Sequence, residues 1–184
     1  MAEPRVPDPV LLVVAAFSRH PSALIWAREN LELAYGPVVL TSPFFDFHQT
    51  RYYEPEMGFD LKKQFLAFTR LVPADILPEV KRHTNELEAS LALSHSFAEA
   101  RPLNLDPGIL SLGKFMLATT KDQAHRIYLR EGIYAEVTLQ FQSHAYHANP
   151  WTYADYREQP LLDFLREARD YYRQRLREEM KMDD

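Results

Sequence analysis

The segment that most constrains the fold is an uninterrupted apolar run near the start of the chain. Residues 10–17 read VLLVVAAF, and Pro7-Asp8-Pro9 comes just before them. A membrane-spanning helix needs about 20 apolar residues, so this run is too short to cross a bilayer. It also lacks the basic region and the cleavage site that a signal peptide requires. We therefore predict a buried strand.

The segments that follow this strand alternate between helical and extended patterns. Apolar residues recur at helical spacing over residues 24–34 and stop before Gly36, which predicts a helix. The β-branched-rich run at 38–40 predicts a short strand that pairs beside the first one. Residues 50–58 are polar and contain proline and glycine, so they are interpreted as a long loop.

The middle of the chain predicts four further extended segments and a long helix. Residues 62–72 favour a strand that ends at Pro73, and residues 74–93 carry the apolar stripe of an amphipathic helix. Residues 109–119 are interpreted as one apolar strand. A hairpin is predicted over residues 125–141, because two extended patterns flank Arg130-Glu131-Gly132.

A last helix is predicted over residues 160–179, with an apolar stripe that gives way to a charged end. The whole order predicts an α+β fold, namely a ferredoxin-like β-α-β-β-α-β sandwich extended by a β-hairpin arm and a C-terminal helix. We expect residues 1–184 to form a single domain, with a core at about 9–142 and a C-terminal loop and docked helix at about 143–180.

Composition narrows the classes of function. The chain has 184 residues, of which 46% are apolar and 26% charged, which is enough material for a folded core. Its net charge of -5 argues against nucleic acid or a membrane as a partner, since both attract concentrated basic surfaces. The absence of cysteine excludes disulfides, zinc-thiolate sites and cysteine nucleophiles. We expect a cytoplasmic protein.

The stretch NLDPGILSLGKF, residues 104–115, contains a Gly-x4-Gly-Lys spacing close to that of a phosphate-binding loop. Such a loop needs a hydroxyl after the lysine and a helix that starts there. Here Phe115 follows Lys114 and the apolar pattern continues as a strand, so the spacing is interpreted as accidental. The first five residues instead predict a turn, from which Asn104 and Asp106 would line the end of the sheet. The alternative is that this turn only starts the next strand.

A cluster of basic residues at the start of the predicted hairpin is the most suggestive feature for ligand binding. Lys121, His125 and Arg126 lie within six residues and could bind a phosphate or a carboxylate, with Asp122 orienting His125. Glu136 lies in mid-strand, where a carboxylate needs water or a basic partner such as Arg126 or Lys121. A solvated turn with chance charges is the alternative. The predicted catalytic residues are His125, Glu136 and Asp106, and the predicted ligand-binding residues are Lys121, Asp122, Arg126, Asn104, Tyr53 and Trp151.

Two other groups supply weaker candidates. Tyr53 and Trp151 belong to aromatic clusters in predicted loops and could stack on a base or a sugar, although packing over the sheet is the alternative. Asp46 and His48 stand two residues apart, so in an extended segment their side chains point the same way, as metal ligands would. A divalent metal is therefore a candidate cofactor, and a loop role for this pair is the alternative.

Several long stretches resemble one protein family. They are GPVVLTSPFFDFHQTRYYEPEMG at 36–58, KRHTNELE at 81–88, NLDPGIL at 104–110, ATTKDQAHRIYLREGIYAEVTL at 118–139 and PWTYADY at 150–156. Together they resemble the domain of unknown function 4416 family, and the resemblance covers nearly the whole chain. It implies a bacterial, cytoplasmic, single-domain protein, and it supplies no catalytic assignment.

Two hypotheses of function follow from the sequence. The first is a small-molecule site at one end of the sheet that binds a phosphorylated metabolite or a nucleotide, with phosphoryl-transfer or hydrolytic chemistry as a further step. The second is a non-catalytic interaction protein that acts as a homodimer or as a partner-binding module. Whether the protein is an enzyme stays open at this point.

Overall fold

The structure is a computed structural model that describes residues 3–47 and 52–182. In this part of the chain, nine strands and four helices form an α+β architecture with an open antiparallel sheet. The strands are β1 (Val10–Ser18), β2 (Val38–Thr41), β3 (Phe45–Asp46), β4 (Lys62–Val72), β5 (Asn104–Leu110), β6 (Lys114–Thr119), β7 (Ile127–Arg130), β8 (Ile133–Gln142) and β9 (Ala145–Ala148). The helices are α1 (Pro21–Tyr35), α2 (Glu54–Met57), α3 (Leu77–Leu93) and α4 (Gln159–Met182), and a 3-10 turn at Ala154–Arg157 precedes α4.

The predicted buried strand lies in the interior of the sheet. The strand order is β2-β4-β1-β5-β6-β8-β7, with β3 paired to β4 and β9 paired to β8. All nine residues of β1 are buried, because helices cover both faces of the sheet here. Val14 packs with Leu24 of α1 and Val80 of α3, whereas Val13 packs with Leu161 of α4. A strand that is covered on both faces is apolar at every position, as observed.

Most predicted elements are confirmed. β4 has the predicted bounds, and α3 and α4 match the two predicted amphipathic helices within a few residues. The β7–β8 hairpin turns at Glu131 and Gly132, whose φ angles of 54° and 76° are both positive, as a tight two-residue hairpin loop requires. Among the described residues, none of the helices combines the length and the apolar character needed to cross a membrane.

The prediction that β2 pairs beside β1 is wrong. β2 pairs with β4, and β4 lies between β2 and β1, antiparallel to both. The long strand β4 can satisfy its backbone hydrogen bonds on both edges in this position, whereas at the edge of the sheet one row would lack a strand partner.

The predicted loop at 50–58 contains the short helix α2. Pro55 lies in its first turn, where a missing N–H costs nothing, and Gly58 ends it with a φ of 77°. Proline and glycine therefore mark the two ends of a helical turn here, and residues 48–51 lie outside the described part of the chain.

The prediction of one strand at 109–119 and of a turn at 104–108 is also wrong. NLDPG belongs to β5, and the chain reverses at residues 111–113 before β6. Pro107 is tolerated in β5 because its nitrogen faces away from β1, as the N–H of Leu105 two residues earlier does. On that side β5 has no paired strand until Gly108, so no ladder hydrogen bond is lost.

Candidate functional site

A cavity of about 510 Å³ lies where β5 and β6 separate. The two strands pair at three positions, Gly108 to Leu110 with Leu117 to Phe115. Beyond this short ladder, Asn104 and Asp106 of β5 line one wall, and residues 117–121 line the opposite wall. Cavities of about 300–1,000 Å³ are typical of small-molecule sites. The opening of the sheet therefore creates a space of suitable size for a ligand.

Side chains from α3 take the place of the missing strand beside β5. The N–H of Leu105 donates to Glu88 Oε1 at 2.7 Å, and Lys81 Nζ donates to the carbonyl oxygen of Leu105 at 2.9 Å. Buried backbone groups need such partners. Lys81 Nζ also lies 3.6 Å from Asp106 Oδ1, so α3 both supports the open strand and places a cation at the cavity wall.

Desolvation and nearby cations have opposite effects on the pKa of a carboxyl group, and a different one prevails at Asp106 than at Glu88. Desolvation would raise the pKa of Asp106, but Lys81 and Lys63 outweigh it and hold the pKa below its ordinary value. For Glu88 desolvation prevails over Lys81 and Arg101, and the pKa is raised. Asp106 is therefore an ionised carboxylate that faces the cavity.

Glu136 and Arg126 form a buried ion pair at the opposite wall. Arg126 Nε donates to Glu136 Oε2 at 2.8 Å, and each side chain is only 2% exposed. Arg126 also donates to the carbonyl oxygen of Lys121 and to the hydroxyl of Tyr153. Desolvation would lower the pKa of Arg126, but the hydrogen bonds that it donates to Glu136 and Tyr153 raise the pKa, so the guanidinium stays charged.

His125 contacts Glu136 of this pair and does not line the cavity. Its Nε2 is 3.2 Å from Glu136 Oε2, and its ring stacks on Trp151 with centroids 5.1 Å apart and an interplanar angle of 12°. The indole N–H of Trp151 donates to the carbonyl oxygen of Val137. We predicted Asp122 as the residue that orients His125; the partner that the structure gives the His125 ring is Glu136, and Asp122 is exposed.

A second buried ion pair joins β4 to the 3-10 turn, and the sequence reasoning missed it. Lys63 Nζ donates to Asp155 Oδ2 at 2.6 Å, with the two side chains 2% and 4% exposed. The ammonium group lies 4.5–5.3 Å from the centroids of four rings, Phe17, Phe47, Phe65 and Tyr156. A signal was present, because Lys63 shares one face of β4 with the apolar residues Phe65 and Ala67.

Lys121 differs from the other cations of the cavity because it is exposed. Its ammonium group lies 3.1 Å from the hydroxyl oxygen of Tyr52 and 4.4 Å from the centroid of the same ring. No carboxylate of the described residues pairs with it. It is therefore the lining cation whose charge is least compensated by the protein.

The cavity is lined by more cationic than anionic side chains, although the chain carries a net charge of -5. Five cationic and three anionic side chains line it: Lys63, Lys81, Arg101, Lys121 and Arg126 against Asp106, Asp155 and Glu136. One of the lining cations, Arg101, pairs with Glu56 and Glu88 outside the lining. Low-dielectric walls strengthen the resulting potential. The arrangement can attract a small anion.

Several predicted site residues come together in this cavity, and others do not. Asn104, Asp106, Lys121, Arg126, Glu136 and Tyr53 line it, whereas His125, Trp151 and Asp122 lie outside the lining. Asp46 is half exposed and forms an ion pair with Lys62. His48, its predicted partner in a metal site, lies outside the described residues. Within residues 3–47 and 52–182, no group of three or more His, Asp or Glu side chains could hold a metal ion.

The fold and the cavity define an α+β protein with an open antiparallel sheet and a cationic cavity at a break between two of its strands. By sequence the chain belongs to the family described as Domain of unknown function (DUF4416), whose profile matches residues 8–172. That range contains every residue that lines the cavity. None of the curated proteins matches the chain.

Proposed function

We propose that this protein binds a small anionic ligand, a phosphorylated metabolite or a nucleotide, in the cavity between β5 and β6. The observation that carries the proposal is the excess of cationic over anionic side chains in a cavity of about 510 Å³, within a chain of net negative charge. Phosphate groups are bound through charge-assisted hydrogen bonds from Lys and Arg. A general attraction of anions to the surface would not be expected at this net charge.

Lys121 and Arg126 are the side chains that fit the role of anion ligands. Lys121 is exposed at the wall and pairs with no carboxylate of the described chain. Arg126 uses three of the five N–H donors of a guanidinium for Glu136, Lys121 and Tyr153, and two donors remain. Glu136 thereby holds the guanidinium in place, and it serves as a positioning residue more than as a base.

We propose a different order among the candidate catalytic residues if the protein is an enzyme. Asp106 is ionised and faces the cavity, so it can accept a proton in a hydrolytic or phosphoryl-transfer step. His125 lies outside the lining and can act only through Glu136. These assignments would make Asp106 the base and His125 a positioning residue.

We also propose that β1, β2, β4 and β5, with α1 and α3, form a ferredoxin-like core. The strand order β2-β4-β1-β5, antiparallel throughout, and the common core of α1 and α3 on one face support this interpretation. The absence of cysteine from the sequence fits a reducing bacterial cytoplasm, which we propose as the compartment.

A homodimer is the second candidate, and β7 is the observation that favours it. β7 ends the strand order of the sheet, and its first three residues, Ile127, Tyr128 and Leu129, are 70%, 56% and 39% exposed. An apolar edge strand is a surface for strand pairing between chains. Under this hypothesis Tyr128→Glu lowers the oligomeric state in light scattering, whereas under the first hypothesis it leaves ligand binding unchanged.

A thermal-shift screen tests the binding proposal. The full chain is heated with inorganic phosphate, sugar phosphates, nucleotides and dicarboxylates, each at millimolar concentration. We expect at least one phosphorylated compound to raise Tm, since a ligand at 100 times its Kd stabilises by about 2.7 kcal/mol. If no compound in this panel raises Tm, the proposal is abandoned.

The matched variants for this screen are Lys121→Ala and Lys114→Ala. Both lysines are exposed, but Lys121 lines the cavity and Lys114 lies at the other end of β6. We expect Lys121→Ala to weaken binding about tenfold, as the loss of one charge-assisted hydrogen bond predicts. Lys114→Ala should bind as the wild type does, and an equal loss in both variants would indicate unspecific attraction.

A further inference from the structure

The aromatic residues of the cavity are largely engaged by the protein itself. Phe17, Phe47 and Tyr156 surround the ammonium group of Lys63. Tyr53 packs edge-on against Phe17 at 5.1 Å, and the guanidinium of Arg101 lies 5.8 Å from the Tyr53 centroid. These contacts bind the rings into one cluster. They leave little free ring surface on which a nucleobase could stack.

The two remaining aromatic residues of the lining do not form a clamp. The Tyr52 ring carries the ammonium group of Lys121 and packs edge-on against Tyr53. The Tyr153 ring has no stacking or cation–π partner among the described residues, although its hydroxyl accepts a hydrogen bond from Arg126, and the residue is half exposed. A base that stacked on Tyr153 alone would remain open to water on its other face, so stacking would contribute little.

Several polar side chains that line the cavity can form hydrogen bonds with the hydroxyl groups of a ligand. Asp106 has 28% of its side chain exposed and is ionised, so it accepts hydrogen bonds and repels anions. Asn85, Gln123, Thr119 and Thr120 add amides and hydroxyls that both donate and accept. A ligand that only carried negative charge would be repelled by the Asp106 carboxylate, whose partners within the protein are Lys81 and Asn104. A ligand with O–H groups would donate to this carboxylate.

Two of the cations and two of the hydroxyl-binding groups lie on opposite walls. The wall of Asp106 also holds Lys81, and the wall of Lys121 also holds Thr119 and Thr120. Lys121 follows β6 and Arg126 lies close to it through its hydrogen bond to the Lys121 carbonyl oxygen. Asp106 belongs to β5 and Asn85 belongs to α3, on the other side of the gap. A single ligand can bridge the gap if one end is a phosphate and the other end is polyhydroxylated.

We propose that the ligand class of this cavity is a phosphorylated sugar or polyol, and not a nucleotide. The inference rests on the proposed anion-binding function and names the substrate class of the same site. The phosphate binds Lys121 and Arg126, and the hydroxyl groups donate to Asp106 on the opposite wall. The cavity volume of about 510 Å³ accommodates a ligand of this size.

Isothermal titration of the full chain with matched compounds tests the ligand class. The panel contains ribose 5-phosphate, glucose 6-phosphate, glycerol 3-phosphate and inositol monophosphate, with ribose, inorganic phosphate and AMP for comparison. We expect at least one of the four to bind tenfold or more tightly than inorganic phosphate, and AMP to bind no tighter than ribose 5-phosphate. If AMP binds and the four are no better than phosphate, this inference fails and the anion-binding function stands. If no compound binds, both fail.

Asp106→Asn separates the hydroxyl contact from the phosphate contact. We expect it to weaken sugar-phosphate binding about tenfold while inorganic phosphate binds as well as before or better, because a negative charge is removed. Asp163→Asn, an exposed carboxylate of α4, is the matched control and should change neither. Equal weakening of both ligands by Asp106→Asn would show that Asp106 acts only through the fold, and would overturn the inference.

Discussion

The strands on the two sides of β5 differ in how far they pair with it. On the β1 side the ladder runs from Leu110 to Asn104 without interruption, whereas on the β6 side it stops after three residue pairs. The closed side consists of apolar side chains packed between helices. The open side gathers ionised side chains, because an unpaired strand edge needs polar partners and leaves space for them.

One sheet therefore contributes both to the hydrophobic core and to the candidate site. Where the ladder is complete, the backbone groups of the two strands hydrogen-bond to each other, and the side chains only need to be apolar. Where it is interrupted, Lys81 and Glu88 of α3 bind the backbone of Leu105, and the charge of Lys81 becomes part of the cavity wall. The site is therefore a consequence of incomplete strand pairing. Three changes test this interpretation.

The largest effect is expected from breaking the buried pair between Lys63 and Asp155. Asp155→Ala leaves an uncompensated ammonium group in a buried position, which costs about 3–5 kcal/mol of the free energy of unfolding. Urea denaturation measures this loss. The double variant Lys63→Met with Asp155→Leu should recover most of it, because well-packed apolar residues replace such pairs without penalty. A double variant as unstable as Asp155→Ala would contradict this account.

A smaller loss is expected from Gly108→Ala, at the last paired position of β5 and β6. A Cβ atom there would lie 2.6 Å from the carbonyl oxygen of Met116, so the two strands would have to move apart. We expect a cost of about 1–3 kcal/mol. The matched control is Gly113→Ala, where a Cβ atom would meet nothing within 4 Å, and it should be nearly neutral in the same assay. Equal effects would show that the close approach at Gly108 does not matter.

The smallest effect is expected from pH, and it concerns Asp106. Its pKa in the folded chain is lowered, so the folded state binds this proton more weakly than the unfolded state does. The stabilisation is therefore present above the ordinary carboxyl pKa of about 3.9 and is lost as pH falls through the folded value. Urea denaturation at pH 6 and pH 3 should show a smaller decrease for Asp106→Asn than for the wild type. An identical decrease would exclude this linkage.

The local patterns of the sequence predicted the elements well and the pairing poorly. The spacing of apolar residues predicted β4, α3 and α4, because that spacing records which face of each element is buried. It could not predict that β4 separates β2 from β1, since the spacing of apolar residues does not specify which strands are neighbours. The proline and glycine of NLDPG led to the wrong prediction of a turn. Pro107 fits in β5 because this strand has no partner at that position on its β6 side.

The candidate site was predicted in part, for a similar reason. Glu136 was expected to need a basic partner in mid-strand, and its pairing with Arg126 is the alternative that the structure shows. Lys63 and Asp155 were missed because they are 92 residues apart, so no local spacing relates one to the other. Long-range pairs of this kind leave only a weak local signal, a lysine on an apolar face.

The sequence alone determined which segments are buried, because the hydrophobic effect acts on each residue and leaves its period in the chain. It therefore determined the central strand, the amphipathic helices and the hairpin turn. Tertiary structure decided which strands are neighbours and where their pairing stops, since hydrogen bonds between backbones do not depend on the residue type. The cavity results from the place where strand pairing stops. There β5 and β6 separate, and α3 supplies the hydrogen-bond partners that a strand would otherwise provide.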